Sequence, residues 1–192
     1  MDGVIALYKE RGMTSHDCIS RLRKILHTSK IGHTGTLDPN VDGVLPVCIG
    51  QATKISEILM GSGKVYQGEI TLGVAYDTED LDGKIIAQQP VETPLTDQEI
   101  DRALAQLTGD IMQTPPMYSA VKVNGHKLYE YARRGETIHR DPRQIHISRF
   151  NQIKPAIYNP TSQQQTIFFE VACSKGTYVR TLAVDFGKLL NL

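Results

Sequence analysis

The chain has three cysteines, Cys18, Cys48 and Cys173, and no two are close enough to form a CxxC pair. That spacing and the odd count argue against a disulfide framework and against a zinc knuckle, and leave free buried thiols as the expected state. Net charge is also missing: 21 Lys and Arg balance 21 Asp and Glu. A balanced chain is not a globally basic nucleic-acid sleeve, although nucleic acid stays open because the distribution of charge decides that question. No apolar run approaches the ~20 residues that span a bilayer, since the most apolar stretch is Val44 to Ile49. The N-terminus MDGVIALYKER has too short an apolar segment for a signal peptide, so a soluble, cytoplasmic protein without membrane contact is expected. Internal repeats and low-complexity tracts are absent too. What remains is an ordinary globular composition, 40% hydrophobic and 22% charged over 192 residues, enough for one large domain or two cramped ones.

The charges are unevenly placed. From Asp77 to Asp110 nine acids face only Lys84 and Arg102. From Met117 to Arg149 the bases Lys122, Lys127, Arg133, Arg134, Arg140, Arg143 and Arg149 outnumber Glu130, Glu136 and Asp141. Arg21, Arg23, Lys24 and Lys30 form a second basic group, with His27 and His33 nearby. A protein with one nucleic-acid-facing side shows such asymmetry, and so does a solvated surface with chance clustering.

Hydrophobic spacing predicts a strand at Val4 to Tyr8, then a helix capped by Thr14 or Ser15 with Ile19, Leu22, Ile25 and Leu26 at helical intervals. A second helix is expected over Ala52 to Met60, stopped at Gly61. Val65 to Leu72 alternates as a strand with Tyr66, Gly68, Ile70 and Leu72 on one face. Thr96 and Glu99 make a capping box for a helix that turns Ile100, Ala103, Leu104 and Leu107 inward and closes at Gly109. Next come a short strand at Ala120 to Val123, an Asn124-Gly125 turn and a basic helical patch from His126 to Arg134. Strands at Gln144 to Phe150 and Thr166 to Cys173 and a helix at Tyr178 to Leu190 complete the set. Elements that neither alternate strictly nor segregate into halves predict an α+β fold, a mixed and mainly antiparallel sheet flanked by helices.

Three residues stand out chemically. In IGHTGTLDPNVDGVLPVCIG, residues 31–50, four glycines and two prolines make a tightly turned loop, and Pro39 biases Asp38 toward extended backbone. Its carboxylate is then either presented to a ligand from a stiff turn or used as a turn cap. Arg180 lies in the first turn of the last helix, the end the dipole already makes positive, so it needs a carboxylate or phosphate; Asp38 is one candidate. Tyr66, on the inward face of its strand, is either core or a stacking surface for an extruded base. Other patterns fail on spacing. Gly61 to Lys64 lacks the rest of a P-loop, His33 and Asp38 have no third metal ligand, and DTEDLDG at Asp77 lacks the calcium-loop spacing and reads as a tight turn between strands.

Six collinear segments carry a resemblance. GHTGTLDPNVDGVLPVCIGQATK from Gly32 is similar to the catalytic motif of the bacterial tRNA pseudouridine-55 synthase (TruB) family. LYKERGMTSHD from Leu7, KVYQGEITLG from Lys64, DTEDLDG from Asp77, TPPMYSAVKVNGHKLYEYARRG from Thr114 and SKGTYVRTLAVDFG from Ser174 extend it over essentially the whole chain. The resemblance implies the pseudouridine synthase catalytic fold and isomerisation of a uridine in the T-loop of tRNA, with breakage of the C1′–N1 bond and rejoining of C1′ to C5. Neither cofactor nor metal is implied. It makes Asp38 the catalytic nucleophile, Arg180 its partner and Tyr66 the stacking residue, with proton transfer as a second role. Tyr178 lines the same pocket and His33 contacts the RNA. The segment from about 118 to 144 becomes a thumb-like insertion closing over the RNA, with Lys64, Lys122, Lys127, Arg133 and Arg134 as binding cations.

Three departures from the family pattern stand out. Lys9-Glu10 stands where Lys-Pro is usual, and Val41-Asp42 where Ala-Thr is common, the latter adding a carboxylate read as a turn residue. The chain also stops at Leu192, within a segment that runs on in the family, and before the small C-terminal RNA-binding (PUA) domain. The expectation is therefore a catalytic domain cut before its end, acting on the tRNA T-stem-loop as a monomer without an obligate protein partner. The alternative is an RNA-binding module of the same fold that lacks turnover.

Overall fold

A computed structural model describes residues 1–192. The chain divides into two compact units, 1–62 and 63–192.

In the first unit, strand β1 (Gly3–Lys9) runs into helix α1 (Ser15–Ile25), followed by β2 (Ile31–His33) and β3 (Gly43–Ile49). The strands form an antiparallel sheet in the order β1-β3-β2. α1 starts where expected: the Thr14 hydroxyl accepts from the Asp17 amide at 3.0 Å, and the Asp17 carboxylate reaches back to the Thr14 amide at 2.9 Å. That reciprocal cap satisfies two amides the helix would otherwise leave open. α1 buries Cys18 and Ile19 against Ile31, Leu45, Val47 and Ile49 of the sheet. Ile25, placed on that stripe by its spacing, is exposed instead, while Leu22 and Leu26 on either side of it pack against the core. The helix expected at 52–60 begins as a 3₁₀ turn, Gly50–Ile55, and becomes α-helical only as α2 (Ser56–Gly61).

The second unit is built on the antiparallel sheet β4-β11-β10-β7, from β4 (Lys64–Leu72), β11 (Gln164–Cys173), β10 (Arg143–Asn159) and β7 (Gly109–Gln113). Helices α3 (Asp97–Gln106) and α5 (Val179–Leu189) cover one face, with Ile100, Ala103, Leu104, Leu182 and Phe186 meeting Ile70, Leu72, Ile147, Ile167 and Val171. The α3 capping box is formed as predicted. Gly68 and Phe169 are directly paired across β4 and β11. A side chain at 68 would begin 2.9 Å from the Phe169 ring, which packs edge-on against Phe150.

Two hairpins leave this sheet. β5 (Val74–Tyr76) and β6 (Ile85–Gln88) enclose the acidic turn at 77–83. β8 (Lys122–Val123) and β9 (His126–Lys127) enclose Asn124 and Gly125, whose φ values of 50° and 85° are those of a tight hairpin turn. The segment expected to be helical from His126 is thus first a strand, and helix α4 spans only Leu128–Arg133. Every strand pairing in the chain is antiparallel, so the α+β class with a mainly antiparallel sheet is what the structure shows. All three cysteines are buried and free. No helix is long and apolar enough to cross a membrane.

Candidate functional site

Asp38 lies exposed in the connection between β2 and β3, and the backbone on both sides of it is tied down. Ahead of it, the Ser15 hydroxyl accepts from the Leu37 amide at 3.0 Å and donates to the Leu37 carbonyl at 3.2 Å. Behind it, the Pro39 carbonyl accepts from the Gly12 amide at 2.9 Å and from the Lys9 ammonium at 3.2 Å. The Asp38 carbonyl itself accepts from the Val41 amide at 3.0 Å, closing a turn. Lys9 is fully buried, and its ammonium also donates to the carbonyls of Met13 and Glu10, at 2.7 and 3.0 Å. A buried ammonium spread over three carbonyls keeps its charge solvated by the backbone it holds together.

The loop's exit is gripped separately. The Asp42 carboxylate accepts from the Tyr8 hydroxyl at 2.5 Å and from Arg11 Nε at 2.8 Å. These two bonds hold its carboxyl down to about 2, and the same contact pushes the Tyr8 phenol up. Asp42, read from the sequence as a turn residue, thus ties the loop back to β1. His33 closes β2 opposite Val47, half-buried, with Nδ1 shut from solvent and without a hydrogen-bond partner.

In the second unit, Tyr66 stands on β4 directly across from Val171 of β11, half-buried against the core, and Lys64 opens the same strand across from Cys173. Tyr178 is the N-cap of α5 rather than part of its first turn, and its side chain makes no capping bond. Its backbone is held by the buried Gln113, whose Nε2 donates to the Tyr178 carbonyl at 3.0 Å while Oε1 accepts from its amide at 2.8 Å.

Arg180, mostly buried, meets a carboxylate as its position demands. The carboxylate within its own unit is Asp80, with Nη1 donating to Oδ2 at 3.2 Å. Nη2 donates to the Tyr118 carbonyl, and the guanidinium lies 5.9 Å from the Tyr178 ring centre. The next residue, Thr181, donates to the Glu79 carboxylate at 2.6 Å. The acidic turn seen in the sequence only as a connection is therefore fastened to the start of α5. Its Asp-rich composition was legible; its partners, 100 residues further on, were not.

The basic segment gathers around one aromatic. Lys127 and Arg133 lie 5.4 and 5.2 Å from the Tyr129 ring centre, and Lys122 is paired with Lys127 across the hairpin. Arg134 sits over Tyr131, 4.8 Å away, and forms a two-point ion pair with Glu136 at 2.8 and 3.2 Å. The structure thus groups Tyr178 with Arg180, and Lys122 with Lys127 and Arg133; Asp38 and His33 belong to the first unit. Asp80, Gln113, Ser15 and Lys9 are additions that sequence reasoning did not single out.

Comparison with known proteins places these features in context. The TruB family pseudouridylate synthase (N terminal domain) matches residues 23–179. The chain is 59% identical over all 192 residues to tRNA pseudouridine synthase B of Pediococcus pentosaceus, and 60% identical to that of Lactiplantibacillus plantarum. It spans 64% and 62% of the lengths of those two relatives. Among solved structures it is similar to the crystal structure of a Cbf5-Nop10-Gar1 complex, with a TM-score of 0.70 and 29% identity over 98% of this chain and 44% of that one. It is also similar to an H/ACA RNP bound to a substrate RNA containing 2′-deoxyuridine, with a TM-score of 0.66 and 26% identity over 98% of this chain and 43% of that one.

Proposed function

The chain belongs to the TruB family of pseudouridylate synthases, and from that premise we propose that it is the catalytic domain of a cytoplasmic, monomeric tRNA pseudouridine synthase that isomerises the uridine at position 55 of the T-loop. The observation that carries this reading is the anchored loop around Asp38: an exposed carboxylate on backbone held from both sides is how a nucleophile is presented to a substrate too large to be enclosed. A uridine within a folded loop shows neither C1′ nor C6, so it is flipped out at a cost of a few kcal/mol. Tyr66 supplies the stacking surface, with proton transfer as a second role.

Asp38 attacks the flipped nucleotide, the C1′–N1 bond breaks, the uracil turns and C1′ rejoins at C5; the bond to Asp38 is released, the C5 hydrogen leaves to water and N1 takes up a proton. Atoms and electrons balance without an external reactant, so no cofactor is required. Arg180, oriented by Asp80 and the Tyr118 carbonyl, corresponds to the arginine that partners the catalytic aspartate in the family pattern. Tyr178 lines the same pocket. Residues from about 118 to 144 form the thumb, where Lys122, Lys127, Arg133 and Arg134 neutralise phosphates; Lys64 also binds RNA, and His33 contacts it near the flipped base.

Tritium release from tRNA labelled as 5-[³H]uridine tests the proposal, because only C5 substitution frees the label. Asp38→Asn is expected to abolish release while tRNA binding stays nearly intact. Equal losses of binding and rate would count against it. Tight binding with no release from the full-length protein would leave an RNA-binding module instead.

A further inference from the structure

The conformation of Asp38 is set by the two peptide planes that flank it, since fixing both planes fixes its φ and ψ. The plane following Asp38 is held within the loop, by the bond from the Val41 amide to the Asp38 carbonyl, and Pro39 narrows the choice further. The plane preceding it, between Leu37 and Asp38, is held from outside the loop by the hydrogen bond that the Ser15 hydroxyl donates to the Leu37 carbonyl. The same hydroxyl accepts from the Leu37 amide and so holds the plane before that as well. One oxygen therefore fixes two successive planes leading directly into Asp38.

Ser15 is suited to this by its setting. It is the first residue of α1 and only 2% exposed. The helix does not need its hydroxyl, because Thr14 performs the capping with Asp17. Its hydroxyl bonds instead to Leu37, 22 residues away. A short side chain on the first turn of a packed helix has little rotamer freedom, so the anchor is rigid.

We propose that Ser15 is a positioning residue for Asp38, a buried hydroxyl whose two bonds to Leu37 set the direction in which the next residue presents its carboxylate. The proposal rests on the reading of Asp38 as nucleophile. Ser15 acts through Leu37 and touches no substrate.

The test uses the full-length protein with 5-[³H]uridine tRNA, measuring single-turnover rate at saturating RNA, Kd and Tm for wild type, Asp38→Asn, Ser15→Ala and Cys18→Ala. Cys18→Ala thins the same helix–sheet core, a cluster that includes no residue of the Asp38 loop. Ser15→Ala is expected to slow the chemical step by about ten- to a hundredfold with Kd within about twofold, while Cys18→Ala loses stability and keeps its rate. A Ser15→Ala rate equal to wild type, or a loss no greater than that of Cys18→Ala, overturns the proposal. A fully active Asp38→Asn overturns the reading of Asp38 and the proposal with it, whatever Ser15→Ala does. A measurement on the wild type covers the case in which Ser15→Ala fails to fold: the Leu37 amide should be protected from hydrogen exchange although its loop faces solvent, and exchange at the rate of an open loop overturns the proposal.

Discussion

The side-chain amide of Gln113 reads both backbone groups of Tyr178, donating to its carbonyl at 3.0 Å and accepting from its amide at 2.8 Å. The pair joins the end of β7 to the start of α5. Gln113→Leu fills the same space and leaves both Tyr178 groups without those bonds. A loss of about 1–3 kcal/mol is expected, read as a lower urea midpoint. An unchanged midpoint would show that water replaces the amide at no cost.

Lys9 is the more demanding case, because its ammonium is fully buried and bonded to three carbonyls. Lys9→Met keeps the stem and removes the charge, so the carbonyls of Glu10, Met13 and Pro39 lose a strong donor. Stability should fall by about 2–3 kcal/mol. Thermal melts of the two proteins at neutral pH give the answer, and equal Tm values would refute the buried-anchor reading.

The Tyr8–Asp42 contact predicts a pH dependence of definite sign. The Asp42 carboxyl is lowered in the folded protein to about 2 from an ordinary 3.8. Its stabilising contribution is therefore full above pH ~4 and is lost as pH falls through the interval from about 4 to about 2. Tyr8 is shifted upward, so its contribution is full below its ordinary value near 10 and fades as pH climbs through the higher folded value. In Tyr8→Phe the Asp42 midpoint should rise toward that of a free aspartate. Carboxyl chemical shifts followed through an acid titration measure this directly, and an unmoved midpoint would leave Arg11 and the backbone hydrogen bond as the causes.

Within the basic segment the two neighbouring arginines should behave differently toward RNA. Arg134 already spends two bonds on Glu136, whereas Arg133 lies over the Tyr129 ring with its charge exposed. Arg133→Ala should flatten the dependence of log Kd on log salt by about one, and Arg134→Ala by less. Glu136→Gln, which frees Arg134, should strengthen tRNA binding at low salt. Identical salt slopes for wild type and Arg133→Ala would remove this segment from the RNA interface.

Local patterns were legible wherever the signal and the element coincide. The Thr14 and Thr96 caps, the Asn124-Gly125 turn and the inward face of β4 all follow from a few adjacent residues. What depends on distant partners was not. β10 continues to Asn159 although its hydrophobic pattern fades after Phe150, because pairing with β11 carries it on; the register shifts between Lys154 and Ile157, beside Pro155, which has no amide to give. β7 and β2 are too short and too polar or glycine-containing to announce themselves. At the site, the carboxylate need of Arg180 was readable from its place on a helix, but the choice of Asp80 was not. Gln113 and Ser15 look like surface residues in one dimension, and only burial marks them as anchors.

The pairing of Gly68 with Phe169 carries a consequence for how this chain can diverge. Gly68 sits between Tyr66 and Ile70 on the inward face of β4, and a methyl group there would overlap the Phe169 ring. Positions 68 and 169 are thus a lock with one joint setting: an alanine at the first should survive in descendants only beside a smaller residue at the second. Since Tyr66 is the next inward residue along the strand, such paired drift would be confined to lineages that repack the floor beneath Tyr66.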